Sequence, residues 1–457
     1  MKKYLIPLVS IAFFLLVWQL LALWIDKPML FPALDGLFVA IGKLLLSIRF
    51  YVSLLVTLLR GLAGMLLSLG LVVVFSFLFV RAKWLYELFR PILAFMRSVP
   101  VISFILLALI FMHAEGIPLL IGFLVMFPLL TENLMNGLQN LDPGLNRLSD
   151  QFLIGHRNHQ LLITYPQLKP FLYSGLASAM GFGWRAIIMG EVLAQTTFGI
   201  GGEMKKAQSF IDVPELIVWT LIAVFIGYLS DKGIGRLSRL KFPLHFVRST
   251  PEKESLRLSS QHIRLKGVEY RYGVFYVNYE FQQGKIYGIS APSGAGKTTL
   301  LNLISGILTP TAGTVVMDRS YGVAFVFQEL ALLDELTAIE NVMLPLAQNH
   351  TKAMSAQLAA EMLKEMDMEA LSDKYPEELS FGQQQRVAIA RALAYPSPFL
   401  FMDEPFKGID DSTRNKIINY IKEQQSVKQQ IVIFTSHQSE ELELADVVLT
   451  PDEIAYY

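Results

Sequence analysis

A glycine-rich stretch at residues 291–299, Ala-Pro-Ser-Gly-Ala-Gly-Lys-Thr-Thr, carries the residue types that bind phosphate. An apolar run at 285–290 precedes it, and a helix-forming run at 300–308 follows it. In such an arrangement, backbone N–H groups and the positive end of a helix dipole converge on an anion. The residues predicted to bind the phosphates are Ser293, Gly294, Ala295, Gly296, Lys297, Thr298 and Thr299.

Two side chains of this loop have separate predicted roles. Lys297 is predicted to reach the outer phosphates of a nucleotide, and the Thr298 hydroxyl to ligate Mg²⁺. The first glycine of the motif is replaced by Ala291. Alanine fits there only if the position keeps a negative φ.

Two adjacent carboxylates, Asp403 and Glu404, follow the apolar run 398–402, which has the pattern of a buried strand. A carboxylate at a strand tip can hold the water shell of Mg²⁺, and a neighbouring one can activate water as a general base. We therefore predict the metal role for Asp403 and the base role for Glu404.

Two further polar residues follow apolar runs. Gln328, after 323–327, is predicted to complete the water and Mg²⁺ shell. His437, after 434–436, is predicted to contact the outermost phosphate. A lone histidine at a strand end is more often a structural residue, so this role depends on the other motifs.

The sequence Leu-Ser-Phe-Gly-Gln at 379–383 precedes a long predicted helix, 384–394. A serine hydroxyl and a glycine N–H at a helix start suit the outermost phosphate of a nucleotide. The additional nucleotide-contacting residues predicted here are Ser380, Gly382 and Gln383, and Asp410 follows the carboxylate strand in Gly-Ile-Asp at 408–410. Each motif is weak alone, but their combination in this order indicates an ATPase.

Composition argues against a nucleic-acid-binding protein and favours a membrane protein. Lys+Arg and Asp+Glu both total 39, so no basic excess indicates nucleic-acid binding. The apolar fraction of 53% exceeds that of ordinary soluble enzymes, and the excess lies before residue 231. The sequence has no cysteine, which excludes disulfides and thiolate metal sites.

Six long apolar stretches precede residue 231. A run of twenty uncharged residues, such as 61–80, is long enough to cross a hydrocarbon core of ~30 Å. Pro100 and Pro128 are expected to interrupt the third and fourth spans. The first is too long for a signal peptide and lacks a small-residue cleavage site. The predicted spans are 4–24, 61–80, 91–112, 117–133, 171–193 and 213–230.

Basic residues in the loops predict the orientation. Thirteen lysines and arginines lie in the segments on one side of the six spans, and five lie on the other. The positive-inside rule then places both termini and the ATPase region in the cytoplasm.

Charged residues inside the predicted spans have two interpretations. Arg97, Arg185 and Glu191 lie within spans, and Arg60 lies near a span end. They either form a buried structural ion pair, with Arg185 and Glu191 as the candidates, or line a translocation path. The ion pair is preferred, because Arg185 and Glu191 lie close to where a span could end.

Residues 263–457 resemble the cassette of the ATP-binding cassette (ABC) transporter family. The resemblance implies that 291–298 is the Walker A loop, 399–403 the Walker B strand and 379–383 the signature motif. It implies an ATP hydrolase coupled to transport, with ATP and Mg²⁺ as cofactors. The further implied roles are catalytic glutamate for Glu404, Q-loop glutamine for Gln328, switch histidine for His437 and D-loop residue for Asp410.

The resemblance leaves two positions to be tested. Tyr272 matches the aromatic residue that stacks on adenine, although it is equally compatible with a strand residue. Phe381 replaces the third residue of the family's Leu-Ser-Gly-Gly-Gln signature. Since Ser380, Gly382 and Gln383 are retained, we expect phosphate sensing to survive.

The first half resembles importer permeases, especially those for sulfonates, taurine, nitrate and pyrimidine precursors. Residues 149–166 correspond to the coupling motif of that family and are predicted to form two short helices around Gly155. The implied partners are the lipid bilayer and an extracytoplasmic solute-binding protein, which would dock near 195–212. The stretches that carry the resemblance are 96–100, 142–145, 155–166, 190–193 and 199–201.

The expected fold is therefore multi-domain. Residues 1–240 would form an all-α, six-span transmembrane domain of the type I importer kind, with a cytoplasmic coupling loop at about 136–170. After a linker at 241–262, residues 263–457 would form an α/β P-loop ATP-binding cassette with a helical subdomain. In this family the signature of one cassette completes the Walker A site of another, which implies a homodimer.

The expected function is ATP-driven import of a small solute resembling a sulfonate, nitrate, taurine or a pyrimidine or vitamin precursor. The expected location is the plasma (inner) membrane of a prokaryote. Two alternatives remain: an ABC-type exporter or lipid flippase without a binding protein, and a membrane-tethered ATPase that does not transport.

Overall fold

The computed structural model describes residues 2–27, 30–238, 262–270, 275–292, 294–348 and 350–450. The chain divides into two compact units. The first comprises Met1–Leu141 and Gln167–Leu240, and the second comprises Asp142–Pro166 and Lys241–Tyr457. A short insert from the first half of the sequence therefore belongs to the second unit. The predicted linker lies outside the described residues except for His262.

The first half of the chain is helical. Between the helices of the first unit, the insert contributes α7, α8 and a π-helical turn. The helices are α1 Lys2–Ile25, α2 Leu34–Leu46, α3 Ile48–Arg81, α4 Lys83–Ser98, α5 Val101–Phe111, a 3₁₀ turn Ala114–Gly116, α6 Ile117–Gln139, α7 Pro143–Gln151, α8 His156–Asn158, the π turn His159–Thr164, α9 Tyr165–Ala194, α10 Ile200–Ser209 and α11 Val213–Ser238. The short helix predicted before Gly155 is present as α7, but the prediction of a second short helix was wrong, because the helix after Gly155 continues without a break to Ala194.

Four helical segments in the described part of the chain are long and apolar enough to cross a bilayer. They are Ile48–Arg81, Ala114–Gln139, His156–Ala194 and Val213–Ser238. Helices α4 and α5 make a fifth if their bent pair is one span, and α1 contains a shorter apolar stretch, Val9–Ile25. Five of the predicted spans thus lie within single helices, the third (91–112) covers the bend between α4 and α5, and the total of six stays a prediction.

The two prolines behave differently. The chain bends by 95° between α4 and α5, and Pro100 lies at the break, as expected. Pro128 lies inside the continuous helix α6, so the interruption predicted there was wrong. Its neighbours Met126 and Phe127 are buried against α3 and α9. Proline is tolerated in a membrane helix where neighbouring helices pack against it.

The predicted pairing of Arg185 with Glu191 was also wrong. Glu191 is fully buried, and its carboxylate accepts a hydrogen bond from Arg60 Nη1 on α3 at 2.7 Å. It also accepts one from the Gly201 backbone N–H at 2.9 Å. The guanidinium of Arg185 instead lies over the ring of Phe182.

The second unit contains two sheets. The smaller is antiparallel, in the order β2-β1-β4, and the larger is parallel, in the order β5-β6-β7-β3-β8. The strands are β1 His262–Tyr270, β2 Phe275–Gln282, β3 Ile286–Ser290, β4 Ala312–Val316, β5 Ala324–Val326, β6 Phe399–Asp403, β7 Ile431–Ser436 and β8 Val447–Leu449. The helices are α12 Lys297–Ser305, α13 Ala338–Leu346, α14 Lys352–Glu365, α15 Phe381–Ala394, α16 Asp411–Lys428 and α17 Ser439–Leu442, with 3₁₀ turns at Glu369–Leu371 and Pro376–Glu378.

The parallel sheet confirms the predicted α/β cassette. Strands β6 and β7 are buried along their whole length, as expected for continuous apolar runs in a parallel sheet. Since the strands run in the same direction, the loops that follow β3, β5, β6 and β7 emerge at one edge of the sheet. Of the predicted site residues, those of the phosphate loop, Gln328, Glu404 and His437 lie in these loops, and Asp403 ends β6 beside them.

Helices α3 and α9 pack closely at Gly61, and a substitution there tests this packing. A Cβ added at Gly61 of α3 would lie 2.4 Å from the indole of Trp184 on α9. We expect Gly61→Ala to destabilise the protein by about 1–3 kcal/mol through overpacking, measured as a lower thermal midpoint in detergent. Gly70→Ala is the matched control, because the space around Gly70 on the same helix is open. Equal midpoints for the two variants would contradict this packing.

Candidate functional site

The glycine loop after β3 has the conformation that phosphate binding requires. Gly294 and Gly296 have φ values of 85° and 87°, a backbone conformation that residues with a side chain rarely adopt. Ala291 is buried and keeps a negative φ, so the condition set for alanine at this position is met. Ser293 lies outside the described residues.

Lys297 is the first residue of α12, and its ammonium group turns back toward the loop. Its Nζ donates to the carbonyl oxygens of Ala291 at 2.7 Å and Pro292 at 3.2 Å. Only 7% of Lys297 is exposed, so the cation lies under the loop beside the N-terminus of the helix. An anion entering the loop would meet the ammonium group and the first N–H groups of α12, which include those of Thr298 and Thr299.

Asp403 ends β6 and lies in a hydrogen-bonded cluster. The Thr435 hydroxyl donates to its Oδ1 at 2.7 Å, and the Thr298 side chain lies close enough to the carboxylate to lower its pKa. Desolvation by burial raises the pKa of Asp403, against the lowering effect of the two hydroxyls. The cluster joins the first turn of α12 to the ends of β6 and β7.

Thr435 was not predicted as a site residue. Its hydroxyl, besides donating to Asp403, accepts a hydrogen bond from the Glu404 backbone N–H at 3.0 Å. Thr435 lies directly opposite Asp403 in the parallel register of β6 and β7. The only signal in the sequence is its position two residues before His437, where a polar residue interrupts an otherwise apolar strand.

Glu404 and His437 lie on the same side of the cluster. The Glu404 backbone is left-handed, with a φ of 47°, which costs about 1–3 kcal/mol for a residue other than glycine. Its Oε1 lies 3.8 Å from Nδ1 of His437, which is an ion-pair distance rather than a hydrogen bond. The Glu404 side chain is 19% exposed and that of His437 is 58% exposed, so water can reach both.

Gln328 follows β5 at the same edge of the sheet and is exposed. Strand β5 pairs with β6, so Gln328 and the carboxylates follow neighbouring strands. The structure therefore brings the phosphate loop, Gln328, Asp403, Glu404 and His437 to one edge. Their individual roles stay predictions.

The signature residues make other contacts. Ser380 caps α15: its Oγ accepts from the Gln383 N–H, and Gln383 Oε1 accepts from the Ser380 N–H at 2.9 Å. A Cβ at Gly382 would lie 2.2 Å from the Gly408 carbonyl oxygen, which explains the glycine. Phe381 is in the first turn of α15, and its ring packs on Gly408. The Phe381 substitution is thus accommodated in a regular helix.

Asp410 and Tyr272 complete the predicted set. Asp410 caps α16 by accepting from the Thr413 N–H at 3.0 Å and from the Ser412 hydroxyl at 2.6 Å. These hydrogen bonds hold the pKa of Asp410 well below its usual range. Tyr272 lies outside the described residues.

The oxygen ligands in the cluster suit Mg²⁺. In the described residues, no group of three or more histidine and acidic side chains is arranged to hold a metal ion alone. Mg²⁺ in nucleotide sites takes one or two protein oxygens, with phosphates and water as the remaining ligands. Asp403 and the Thr298 hydroxyl fit that requirement.

Two family models match separate parts of the chain. Residues 274–407 match the model described as "ABC transporter". Residues 64–230 match the model described as "Binding-protein-dependent transport system inner membrane component". The matches lie in the regions predicted as cassette and permease.

The relatives resemble the cassette half. The probable sulfate/thiosulfate import ATP-binding protein CysA of Chlorella vulgaris is 35% identical over 204 residues, which are 41% of this chain and 86% of the relative. The CysA protein of Pseudomonas putida is 33% identical over 206 residues, which are 41% of this chain and 63% of the relative. A solved dimeric structure of the bacterial ABC transporter cassette MJ0796 has 32% identity and a TM-score of 0.40, covering 42% of this chain and 96% of that one.

The predicted general base can be tested directly. Glu404→Gln removes the proton acceptor but keeps the size of the side chain. We expect ATP turnover to fall by about 10²–10⁴-fold while ATP still binds, as measured by steady-state hydrolysis and by retention of labelled ATP. Glu423→Gln, an exposed residue of α16, is the control. Normal turnover in Glu404→Gln would refute the assignment.

Burial of Asp403 predicts a pH-dependent effect on stability. Because its pKa is raised from 3.8, the group contributes stability at low pH that is lost as the pH rises through the folded-state value. Without nucleotide and Mg²⁺, Asp403→Asn should therefore raise the thermal midpoint at neutral pH, and this gain should shrink toward pH 4. The same variant should lose Mg²⁺-dependent ATP hydrolysis.

The control for this experiment is Asp373→Asn, at an exposed position. It should leave both the midpoint and the hydrolysis unchanged. A lower midpoint for Asp403→Asn at neutral pH, or a difference that does not vary with pH, would contradict the burial argument.

Proposed function

Since the chain belongs to the ABC transporter family, as an importer-type member with permease and cassette in one polypeptide, we propose that it works as a homodimer that imports a small solute. Its cassette is an ATP-hydrolysing transport ATPase, and its permease half makes it a multi-pass membrane protein. The observation that carries the proposal is the combination of both halves in one sequence.

In the proposed ATPase cycle, Lys297 exchanges its two carbonyl partners for the outer phosphates of ATP. Thr298 and Asp403 would hold Mg²⁺, which would supply positive charge against the phosphates. Glu404 orients and deprotonates the attacking water, with His437 and Gln328 beside it. The left-handed backbone of Glu404, whose N–H donates to the Thr435 hydroxyl, turns the chain directly after β6.

Contacts of the signature residues support the homodimer. Ser380 and Gln383 cap their own helix, and Gly382 contacts the backbone at Gly408. This leaves the phosphate loop without a signature contact from its own chain in the part of the structure described. We propose that the second copy supplies that contact, and a two-fold pair then forms two equivalent sites.

The proposed direction of transport follows from the permease half. The model that matches residues 64–230 describes a component of binding-protein-dependent systems. The segment proposed to receive the binding protein includes α10 and is anchored by buried Glu191, which accepts from the Gly201 N–H. Lys205 on α10 supplies positive charge for an acidic partner surface, whereas Lys206 pairs with Glu203 at 3.0 Å. By the distribution of basic residues, we propose that both termini and the cassette are cytoplasmic.

The proposed solute is small and polar. The relatives are named for sulfate and thiosulfate import, and the permease resembles those for sulfonates, taurine, nitrate and pyrimidine precursors. Within the first unit, a cavity of about 420 Å³ lies between α4 and α6 and has the ion pair of Arg97 and Glu132 in its wall. Charged residues in a membrane protein usually face such a cavity, and this size suits a small solute.

Reconstituted transport tests the proposal. The full chain is placed in proteoliposomes with the cassette and ATP inside, and labelled sulfate, thiosulfate, taurine and nitrate are offered outside. We expect uptake of one of them only when a solute-binding protein from the same source and hydrolysable ATP are both present. The Glu404→Gln variant is the matched control and should accumulate nothing.

Other outcomes would contradict import. ATP-driven efflux, or flipping of a fluorescent phospholipid without a binding protein, would indicate an exporter or flippase. Steady ATP turnover with no movement of solute or lipid would indicate a membrane-tethered ATPase.

A further inference from the structure

The insert Asp142–Pro166 is held in the second unit through backbone hydrogen bonds. The Val323 N–H, at the start of β5, donates to the Gln151 carbonyl at 2.7 Å. Gln348 accepts from the Gly155 N–H at 2.9 Å and donates to the Phe152 carbonyl at 3.3 Å. These bonds fix the insert on both sides of Phe152.

Phe152 is the apolar anchor of the insert. It is fully buried, and its ring lies 5.0 Å from the ring of Tyr395 at an interplanar angle of 77°. The Tyr395 hydroxyl in turn donates to the Tyr321 carbonyl at 3.1 Å. A buried aromatic pair of this geometry contributes about 0.5–1.5 kcal/mol beyond its buried area.

The guanidinium of Arg391, on α15, lies 6.0 Å from the centroid of the Phe152 ring. Arg391 is fully buried, and no described carboxylate lies within ion-pair distance of it. Burial lowers the pKa of Arg391 to about 9. A buried charge without an acidic partner is costly, so its hydrogen bonds must offset the loss of hydration.

The other contacts of Arg391 are with the segment that follows Gln328. Nη2 donates to the Leu330 carbonyl at 2.8 Å, and Nη1 donates to the Ala331 carbonyl at 2.7 Å. Ala331 is left-handed, with a φ of 46°, a conformation that costs an alanine about 1–3 kcal/mol. The forked guanidinium therefore holds a strained turn three residues after Gln328.

We propose that Arg391 is a positioning residue that links the turn after Gln328 to Phe152 of the insert, so that nucleotide binding at Gln328 changes the insert. The guanidinium donates to two carbonyls on one side and presents its cationic face to an aromatic ring on the other. A shift of the turn therefore changes the contact with Phe152. Lysine cannot replace it, because a single ammonium group lacks the planar fork.

This inference rests on the proposed function, because it names the residue through which ATP binding would reach the insert. The insert is continuous in sequence with α6 and α9 of the first unit. The test measures the response of the insert itself, so it requires no knowledge of the transported solute.

The experiment is hydrogen exchange with mass spectrometry on the full chain in lipid nanodiscs. Glu404→Gln serves as the background that retains ATP, and exchange is compared with and without Mg²⁺-ATP in peptides from 145–165 and 328–333. We expect ATP to change exchange in both peptides in the background. With Arg391→Lys added, the change in 145–165 should shrink about five-fold or more, while that in 328–333 persists.

Two further variants distinguish loss of the contact between Arg391 and Phe152 from general destabilisation of the cassette. Phe152→Leu keeps an apolar side chain but removes the ring, and it should reduce the response of 145–165 as Arg391→Lys does. Arg386→Lys is the matched control, since Arg386 on the same helix donates to the carbonyls of Met366 and Asp367. It should leave the response intact. ATP affinity should be the same in all of these variants.

The outcomes are distinguishable. A full response of 145–165 in both Arg391→Lys and Phe152→Leu overturns the inference alone, because the insert then responds without this link. If 145–165 does not respond to Mg²⁺-ATP in the Glu404→Gln background itself, the inference is overturned together with its premise that ATP binding reaches the insert. An equal loss in Arg386→Lys also overturns the inference, because the effect would then be general destabilisation of α15.

Discussion

Parallel pairing of β5, β6, β7 and β3 is the constraint on which the site depends. Parallel strands deliver their following loops to one edge, so residues more than a hundred positions apart in the sequence meet there. The hydrogen bond from Thr435 to Asp403 joins the ends of β6 and β7, and Thr298 of α12 lies beside the same carboxylate. The cost is a carboxylate with a raised pKa in a buried position and a strained backbone at Glu404. The predicted Mg²⁺ ligand Asp403 and the predicted base Glu404 are thus held in place at a local cost in folding stability.

Much of the cassette was predictable because its signals are local. The glycine loop, the apolar strand before Asp403 and the helix after Ser380 are each recognised from a few consecutive residues. The observed elements, Ile286–Ser290, Phe399–Asp403 and Phe381–Ala394, agree with those predictions. Thr435 was missed because its contact with Asp403 follows from the register between two distant strands, and register is not visible in one sequence.

The errors in the membrane half have the same origin. Arg185 and Glu191 are six residues apart in α9, so they point in directions about 120° apart around the helix and lie about 9 Å apart along it, which disfavours a pair. The actual partner, Arg60, is on α3, and only the packing of the two helices brings it close. Pro128 was expected to break a helix, but packing in α6 outweighs its local preference.

The insert 142–166 connects helices α6 and α9 in the sequence but belongs to the same compact unit as the cassette. It begins three residues after α6 ends and leads directly into α9, yet its contacts are with the cassette. Any movement of the cassette that displaces the insert must therefore pull on two helices of the first unit. Phe152 is buried against Tyr395 and Arg391, and Arg391 in turn donates to the turn after Gln328, which is the basis of the link proposed above.

The central claim is that two copies of this chain form each ATP site together, one giving the phosphate loop and the other the signature. Hydrolysis by purified mixed dimers tests it most directly, with Lys297→Ala disabling a loop and Ser380→Arg disabling a signature. If the claim holds, dimers that carry the two changes on opposite copies keep one intact site and hydrolyse ATP. Dimers that carry both changes on one copy, beside an unchanged copy, are then inactive. The reverse pattern, with activity only when both changes share a copy, would contradict the account.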